Sequence, residues 1–493
     1  MTPLMKPANV FDRDAEWYEL TRFVGDTQPH ATLGIVSGRR RQGKTFLLDA
    51  LVRATNGFMF TATESTEADS LNQLGQALAV YQQEPTPYRF ADWSEAITRL
   101  FSIARGHPIP VVIDEFPYLV KASPQLPSLI QRAFDPAAQR NNTPIRLLLC
   151  GSALSFMGKL LSGNAPLRGR SSLEMIIPTL DYQLASQFWG ITDWHTAVLV
   201  NAIVGGTPAY RREFVADDSP ADAADFNDWV TRSVLNPNRP LFREARYLLS
   251  EEPDMRDTGL YHAVLSAITA GNSSRGGIAN YLQRKATDLA HPLSVLQDAG
   301  LITHEEDAFR RNRSSYRIAE PLLTFYHAIM RPEWGNLERA GRATEVWQRS
   351  QHAFDSLVVG PHFEELCRQW ARHADPSYFQ DRVPSQVLSG TVSDPGTQAT
   401  HQLDVTVFGN NASGQRQLLA IGESKWQEPI GLGHLTRLQH IRDLLVRRGE
   451  PGAQSAGLFL FGSSKFSDEL SRRAIDDPSI HLIGLDDLYR PSA

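Results

Sequence analysis

The sequence predicts a multidomain α/β protein. Its first part is a parallel-sheet core, followed by a helical segment, a winged helix-turn-helix and a second α/β unit. Three observations predict this. A glycine-rich loop joins an apolar strand to an amphipathic helix near the start of the chain. A helical middle gives way to three short helices and two short strands around a polar tip. The final stretch alternates apolar strands with helices. The expected limits are residues 1–180, 181–254, 255–335 and 345–493.

At 493 residues the chain exceeds what one hydrophobic core organises, so about three or four domains are expected. With 42% hydrophobic and 21% charged residues, the composition is that of a globular protein rather than a disordered one. A net charge of −6 argues against wholesale wrapping by nucleic acid but leaves room for a local basic site. Two cysteines, Cys150 and Cys367, suit a reducing compartment and give no disulfide framework or cysteine-based zinc site. No signal-peptide core or membrane-length apolar run is visible, so a cytoplasmic protein without membrane contact is expected.

The segment ATLGIVSGRRRQGKTFLLDALV reads as a strand over 33–37, a loop, and a helix from Lys44. The loop fits G-x-x-x-x-G-K-[ST] at Gly38, Gly43, Lys44 and Thr45, in the strand–loop–helix context that the motif requires. Such matches arise by chance in only roughly a few hundredths of chains this long. Backbone N–H groups of Gly38, Arg39, Arg40, Arg41, Gln42 and Gly43 are expected around phosphate oxygens, with Phe46 following in the helix. Lys44 would reach the β- and γ-phosphates of ATP, and Thr45 would ligate Mg²⁺. The three arginine side chains are expected to face solvent.

A partner strand follows at PVVIDE, residues 110–115. Asp114 is expected to hold Mg²⁺ and Glu115 to polarise the attacking water. A third apolar strand, 146–150, ends at Gly151 and Ser152, and Ser152 would stand beside the γ-phosphate as a sensor. In PLRGRSS, Arg168 and Arg170 are candidate arginine fingers, acting in cis or from a second copy of the chain.

Residues 179–250 follow a helical pattern broken at IVGGTPAY, where Gly205 and Gly206 precede Pro208. Three helices and a hairpin over 261–332 suggest the winged helix-turn-helix, with its third helix as the recognition element for DNA. Arg310, Arg311, Arg313 and Arg317 form a cationic wing suited to phosphate contacts, or else a solvated surface of a packing module.

In the last unit, strands over 401–409 and 417–426 carry Asp404 and the pair Glu423 and Lys425. Alternation puts Glu423 and Lys425 on one face of their strand. Two carboxylates can hold a divalent cation, and a neighbouring lysine can orient or help deprotonate a water for attack on a phosphodiester. Glu364 or Glu365, on the preceding helix, would add a carboxylate, and Gln439 on the later basic helix would line the site. E-x-K alone is weak, with about two chance occurrences expected in such a chain. Its weight comes from its place at the end of an apolar strand.

The ordered set FDRDAEWYEL, GRRRQGKT, VVIDEF, CGSALSFM, PLRGR, GGTPAY, LFREARYLL, FEEL, LDV and GESKW resembles a family of prokaryotic, archaeal-type P-loop ATPases. That family is related to the AAA+ and STAND branches and carries a winged helix and a C-terminal PD-(D/E)xK domain of restriction-endonuclease-like fold. The resemblance implies an ASCE-type core with Walker A and Walker B motifs, a helical lid and a nuclease-like end. It implies a nucleotide site at Lys44, Thr45, Asp114, Glu115 and Ser152. A second site, taking Mg²⁺ or Mn²⁺, is implied at Glu364, Asp404, Glu423 and Lys425. Ser424 departs from the apolar or cysteine residue common at that position. The expected function is an Mg²⁺-dependent ATPase whose nucleotide state controls DNA binding and a DNA nuclease, with homo-oligomerisation as an option. The alternative is a nucleotide-switched DNA-binding or signalling ATPase whose nuclease-like domain does not cleave.

Overall fold

The computed structural model describes residues 4–104, 107–135, 143–250, 255, 257–339, 341–411 and 413–490. The chain divides into two compact units, residues 1–179 with 298–300, and residues 180–297 with 301–493. The expected limit of the helical segment at 254 lies outside the described residues.

The first unit is built on five strands: β1 (Thr32–Ser37), β2 (Phe58–Thr61), β3 (Ile109–Asp114), β4 (Ile145–Gly151) and β5 (Ser171–Ile176). They lie side by side in the order β2-β3-β4-β1-β5, all pairs parallel. Parallel strands covered on both faces read as continuous apolar runs, and β1, β3 and β4 are buried at every position. One face is covered by the helices Glu67–Tyr81, Trp93–Ser102 and Leu126–Ala133, whose Leu74, Leu78, Trp93 and Ile130 are almost fully buried. The other is covered by the helix Asp14–Val24 and the loop's own helix, Lys44–Thr55, through Trp17, Leu20, Leu48 and Leu51. Because β1, β4 and β3 run parallel, the loop after β1 and the acids closing β3 emerge at the same edge of the sheet, with β4 between them.

The second unit begins with the helices Tyr182–Trp189 and Trp194–Val204. The expected break comes directly after them. Gly205 has a positive φ of 58°, and the Gly206 carbonyl accepts from the Leu180 N–H at 3.0 Å. A Cβ on Gly206 would lie 1.8 Å from the Leu180 carbonyl oxygen. Further along come the helices Thr258–Thr269, Arg275–Tyr281 and Ala290–Asp298, then an antiparallel hairpin of β6 (Ile302–Glu306) and β7 (Ser314–Ile318).

The last part is a five-stranded mixed sheet of β8 (Gln386–Asp394), β9 (Ala399–Asn410), β10 (Arg416–Lys425), β11 (Gly457–Gly462) and β12 (Ile480–Ile483). β8, β9 and β10 pair antiparallel, while β10, β11 and β12 are parallel. The helix Leu432–Arg447 supplies the β10-to-β11 crossover that a parallel pair requires, burying Leu438, Ile441 and Leu445 in the sheet's core. Trp426, expected inside β10, lies one residue beyond it, with its ring 4.7 Å from His195 and 5.4 Å from Phe363.

The wing arginines depart from expectation. Arg310 is hydrogen-bonded to the Ser393 hydroxyl on β8. Arg317 is paired with Glu305 at 2.8 Å and with Glu365 at 3.5 Å. The Ala308 N–H donates to the Ser389 carbonyl, so the hairpin tip is stitched to β8. Two of the four arginines are therefore spent on packing within the unit, because the tip reaches carboxylate and hydroxyl acceptors there. Arg311 and Arg313 remain exposed.

Gly206→Ala should destabilise the second unit by about 1–3 kcal/mol, since the backbone must give way and the bond to Leu180 is lost. Urea unfolding followed by tryptophan fluorescence checks this; an unchanged midpoint would contradict it.

Candidate functional site

The first candidate site is the edge where β1, β3 and β4 end. Gly38 and Gly43 have φ of 153° and 82°, and Arg41 is left-handed at 68°. A Cβ on Gly38 would meet the Ile177 carbonyl oxygen at 2.6 Å, so that glycine is required by close approach as well as by its angle. Lys44 opens the helix and is only 5% exposed, its Nζ donating to the Arg39 carbonyl at 2.7 Å. Burial lowers its pKa, against the raising effect of Glu115 and Asp114.

Across the edge, the Thr45 hydroxyl donates to Asp114 Oδ2 at 2.7 Å. The two expected Mg²⁺ residues are thus side by side. Asp114 is 1% exposed and its other oxygen accepts from the Glu115 N–H at 3.0 Å. Glu115 itself is left-handed, with φ of 51°. The Ser152 hydroxyl, at the end of β4, bonds to both Glu115 oxygens at 3.1 Å. Ser152 therefore holds the expected water-polarising carboxylate directly.

The arginine side chains of the loop do not simply face solvent. Arg39, Arg40 and Arg41 are half-buried, and Arg40 donates to the Tyr118 hydroxyl at 3.1 Å. The tyrosine follows Pro117 in the helix Phe116–Ala122, which places its hydroxyl within reach. Gln42 is buried, whereas Phe46 is about half exposed in the first turn of the helix. Arg168 is exposed and bonded to the Gly163 carbonyl, and Arg170 is half-buried just before β5.

The second candidate site lies where β9 and β10 meet the helix Gly360–His373. The β9–β10 register pairs Val405 with Gly422, and one further step sets Asp404 opposite Glu423. Asp404 Oδ2 accepts from the Ser424 N–H at 2.9 Å and from its hydroxyl at 3.3 Å. Burial raises the Asp404 pKa, the Ser424 bond opposes this, and the Glu423 carboxylate adds to the rise. Glu423 is 3% exposed and has one oxygen, Oε2, buried without a hydrogen-bond partner. Its Oε1 is 3.1 Å from Lys425 Nζ and in contact with the Arg437 guanidinium.

Lys425 is held as an ammonium. Burial pulls its pKa down, but Glu423 more than offsets this and leaves it raised. That favours orienting a phosphate or water over removing a proton. The two glutamates sit in opposite electrostatic settings. Burial, with the nearby Asp404 charge, pushes its pKa up to about 7. Burial would also raise Glu365, but Arg317, Arg368 and Arg372 bring it down to about 2. Glu365 is thus a fastening inside the helix packing. Gln439 is half-buried on the helix Leu432–Arg447. Among the described residues, Glu364, Asp404 and Glu423 do not form a trio with donor atoms within 4.8 Å of one another.

Sequence reasoning missed Arg437, which also donates to the Gln402 carbonyl at 2.9 Å, and Arg368, which donates to the Asp404 carbonyl at 2.9 Å. Both act through helix–sheet packing, for which no local pattern exists. The basic character of Leu432–Arg447 was the nearest signal for Arg437, and Arg368, on the helix Gly360–His373, had none.

The two glutamates should separate in a pH series. Glu365 has a depressed pKa, so its contribution is present above about pH 4.5 and lost as pH falls toward 2. Glu365→Gln should be less stable than wild type at pH 7, with the gap closing in acid. Glu364 has a raised pKa, so its stability is present below about pH 4.5 and lost as pH rises through 7. Glu364→Gln should exceed wild type at pH 8 and match it near about pH 4. Thermal unfolding across pH reads both signs.

No family model matches the chain. The uncharacterized protein MJECL04 of Methanocaldococcus jannaschii is 28% identical over 309 residues, 62% of this chain and 65% of that relative, so the match spans less than two thirds of the relative's length. Among solved structures, the Walker-type ATPase PABY2304 of Pyrococcus abyssi is similar at TM-score 0.51 and 19% identity, over 66% of this chain and 98% of that one. The ORC2 protein of Aeropyrum pernix aligns at TM-score 0.38 and 15% identity, over 72% of this chain and 100% of that one, too loosely to carry an argument. The likeness to PABY2304 is one of fold: over 66% of its length the chain shares the fold of that Walker-type ATPase.

Proposed function

We propose that the protein is an Mg²⁺-dependent ATP hydrolase that binds DNA and cleaves it at a second, metal-dependent site. The observation that carries the first half is the Thr45–Asp114–Glu115–Ser152 chain beside the buried Lys44. Lys44 and the loop's N–H groups would bind the phosphates, Thr45 and Asp114 would hold Mg²⁺, and Glu115 would orient water. The ion would supply charge neutralisation on the phosphates. Arg168 or Arg170 would act as an arginine finger, from the same chain or from a second copy in an oligomer.

Support for the second half is Asp404 facing Glu423, with Glu423 Oε2 buried and unpartnered. An orphaned buried carboxylate oxygen is costly, and a divalent cation would satisfy it. Asp404 and Glu423 would hold Mg²⁺ or Mn²⁺, Glu364 would add a carboxylate beside them, and Lys425 would orient the scissile phosphate in the manner of a PD-(D/E)xK domain. The three helices before β6, with Arg311 and Arg313, would hold DNA as a winged helix. The ATP-dependent control, the STAND relationship and the limits of the four domains belong to the same proposal.

One observation favours a second reading, in which the C-terminal site grips DNA or a partner without cleaving. Glu423 is already paired with two cations, Lys425 and Arg437. The test separates the two. Wild type should hydrolyse ATP, and Lys44→Ala should lose about 10²-fold or more of that rate. Plasmid cleavage in Mg²⁺ or Mn²⁺ should vanish in the Glu423→Ala/Lys425→Ala double variant while ATP hydrolysis persists. DNA binding without cleavage by wild type would select the second reading.

A further inference from the structure

Where the β8–β9 turn meets the helix Leu432–Arg447, three metal-type ligands that neither candidate site uses come together. Asp394 closes β8, His401 lies near the start of β9, and His440 lies midway along the helix Leu432–Arg447. One donor atom from each lies within 4.8 Å of the others. Asp394 Oδ2 is 2.9 Å from His440 Nε2 and 4.0 Å from His401 Nε2.

A simple ion pair between Asp394 and His440 would explain the shorter distance alone. It leaves His401 unexplained. Its Nε2 is buried with no hydrogen-bond partner, and its distance to Asp394 is beyond hydrogen-bonding range. With metal–ligand bonds of about 2.0–2.2 Å, a tetrahedral ion sets its donors roughly 3.3–3.6 Å apart. The distances of 2.9 and 4.0 Å bracket that spacing, so small side-chain adjustments suffice.

The carboxylate is also oriented from behind. The Gly396 N–H donates to Oδ1 at 2.9 Å and the Thr397 hydroxyl to Oδ2 at 3.0 Å. Fixing a ligand through such outer contacts is what built metal sites do. Two imidazoles and one carboxylate suit zinc and its first-row neighbours, whereas Mg²⁺ prefers oxygen and retains its waters.

We propose that Asp394, His401 and His440 bind a first-row transition-metal ion of the Zn²⁺ type, leaving a coordination position for water. The ion clamps the β8–β9 turn to the helix Leu432–Arg447. That helix carries Arg437 one turn earlier, the residue in contact with Glu423. The site is independent of the phosphodiester proposal and stands whether or not Glu423 supports cleavage.

The test uses the full chain, stripped of metal with a chelator and titrated with Zn²⁺ by calorimetry and with Co²⁺ by visible absorption. Wild type should take up one ion at this site, with Co²⁺ d–d bands, and gain thermal stability. His401→Ala and His440→Ala should each bind at least about tenfold more weakly and lose the bands. His401→Gln serves where the alanine variant folds poorly, as judged by circular dichroism. Excess Mg²⁺ should not displace Co²⁺. Absence of Zn²⁺ uptake by wild type would overturn the proposal. So would equal uptake by the folded double variant of both histidines.

Discussion

Much of the first unit follows from burying the ammonium of Lys44. A cation at 5% exposure needs compensation, and the fold supplies it from three strands at once. The Arg39 carbonyl turns inward because the loop curls, and the loop curls because Gly38 and Gly43 allow it. Asp114 and Glu115 face the lysine because β4 holds β3 at the right remove from β1. The balance is incomplete, since burial still lowers the lysine's pKa. An anion arriving there would meet a cation that the fold only partly compensates.

The second unit handles buried charge differently. Around Glu365 the charges are closed on themselves, with Arg317, Arg368 and Arg372 drawn from two elements. Around Glu423 they are left open, with one carboxylate oxygen unmatched. The contrast between neighbouring carboxylates in one sheet-and-helix layer distinguishes a fastening from a candidate site. Paired groups hold elements together, whereas an unmatched one invites a ligand.

What the sequence disclosed depended on how locally each feature is encoded. The loop 38–45 and the strand ending at Asp114 were legible because strand, turn and helix are contiguous and the residues sit at fixed offsets. The face shared by Glu423 and Lys425 followed from alternation alone, and β1, β3, β4, β9 and β10 lie within a residue or two of expectation. Residue patterning alone left Glu364 and Glu365 equal, because neighbouring helix positions differ only in what packs against them, and only the family resemblance pointed to Glu364. The roles of Arg310, Arg317, Arg437 and His440 were hidden for the same reason. Each depends on a contact more than ten residues away in the chain, for which no periodicity speaks.

The stitching of the β6–β7 tip to β8 has a mechanical consequence. Main-chain and side-chain bonds join the hairpin to the sheet at Ser389 and Ser393, and Arg317 extends the join to the helix Gly360–His373. A hairpin held at its tip and its flank cannot swing as a free wing. In the proposed DNA-cleaving role, a duplex gripped by the preceding helices would meet the strand-end carboxylates at a set offset, like stock against the fence of a saw. Distance along the polymer, rather than base sequence at the point of contact, would then decide which phosphate is presented.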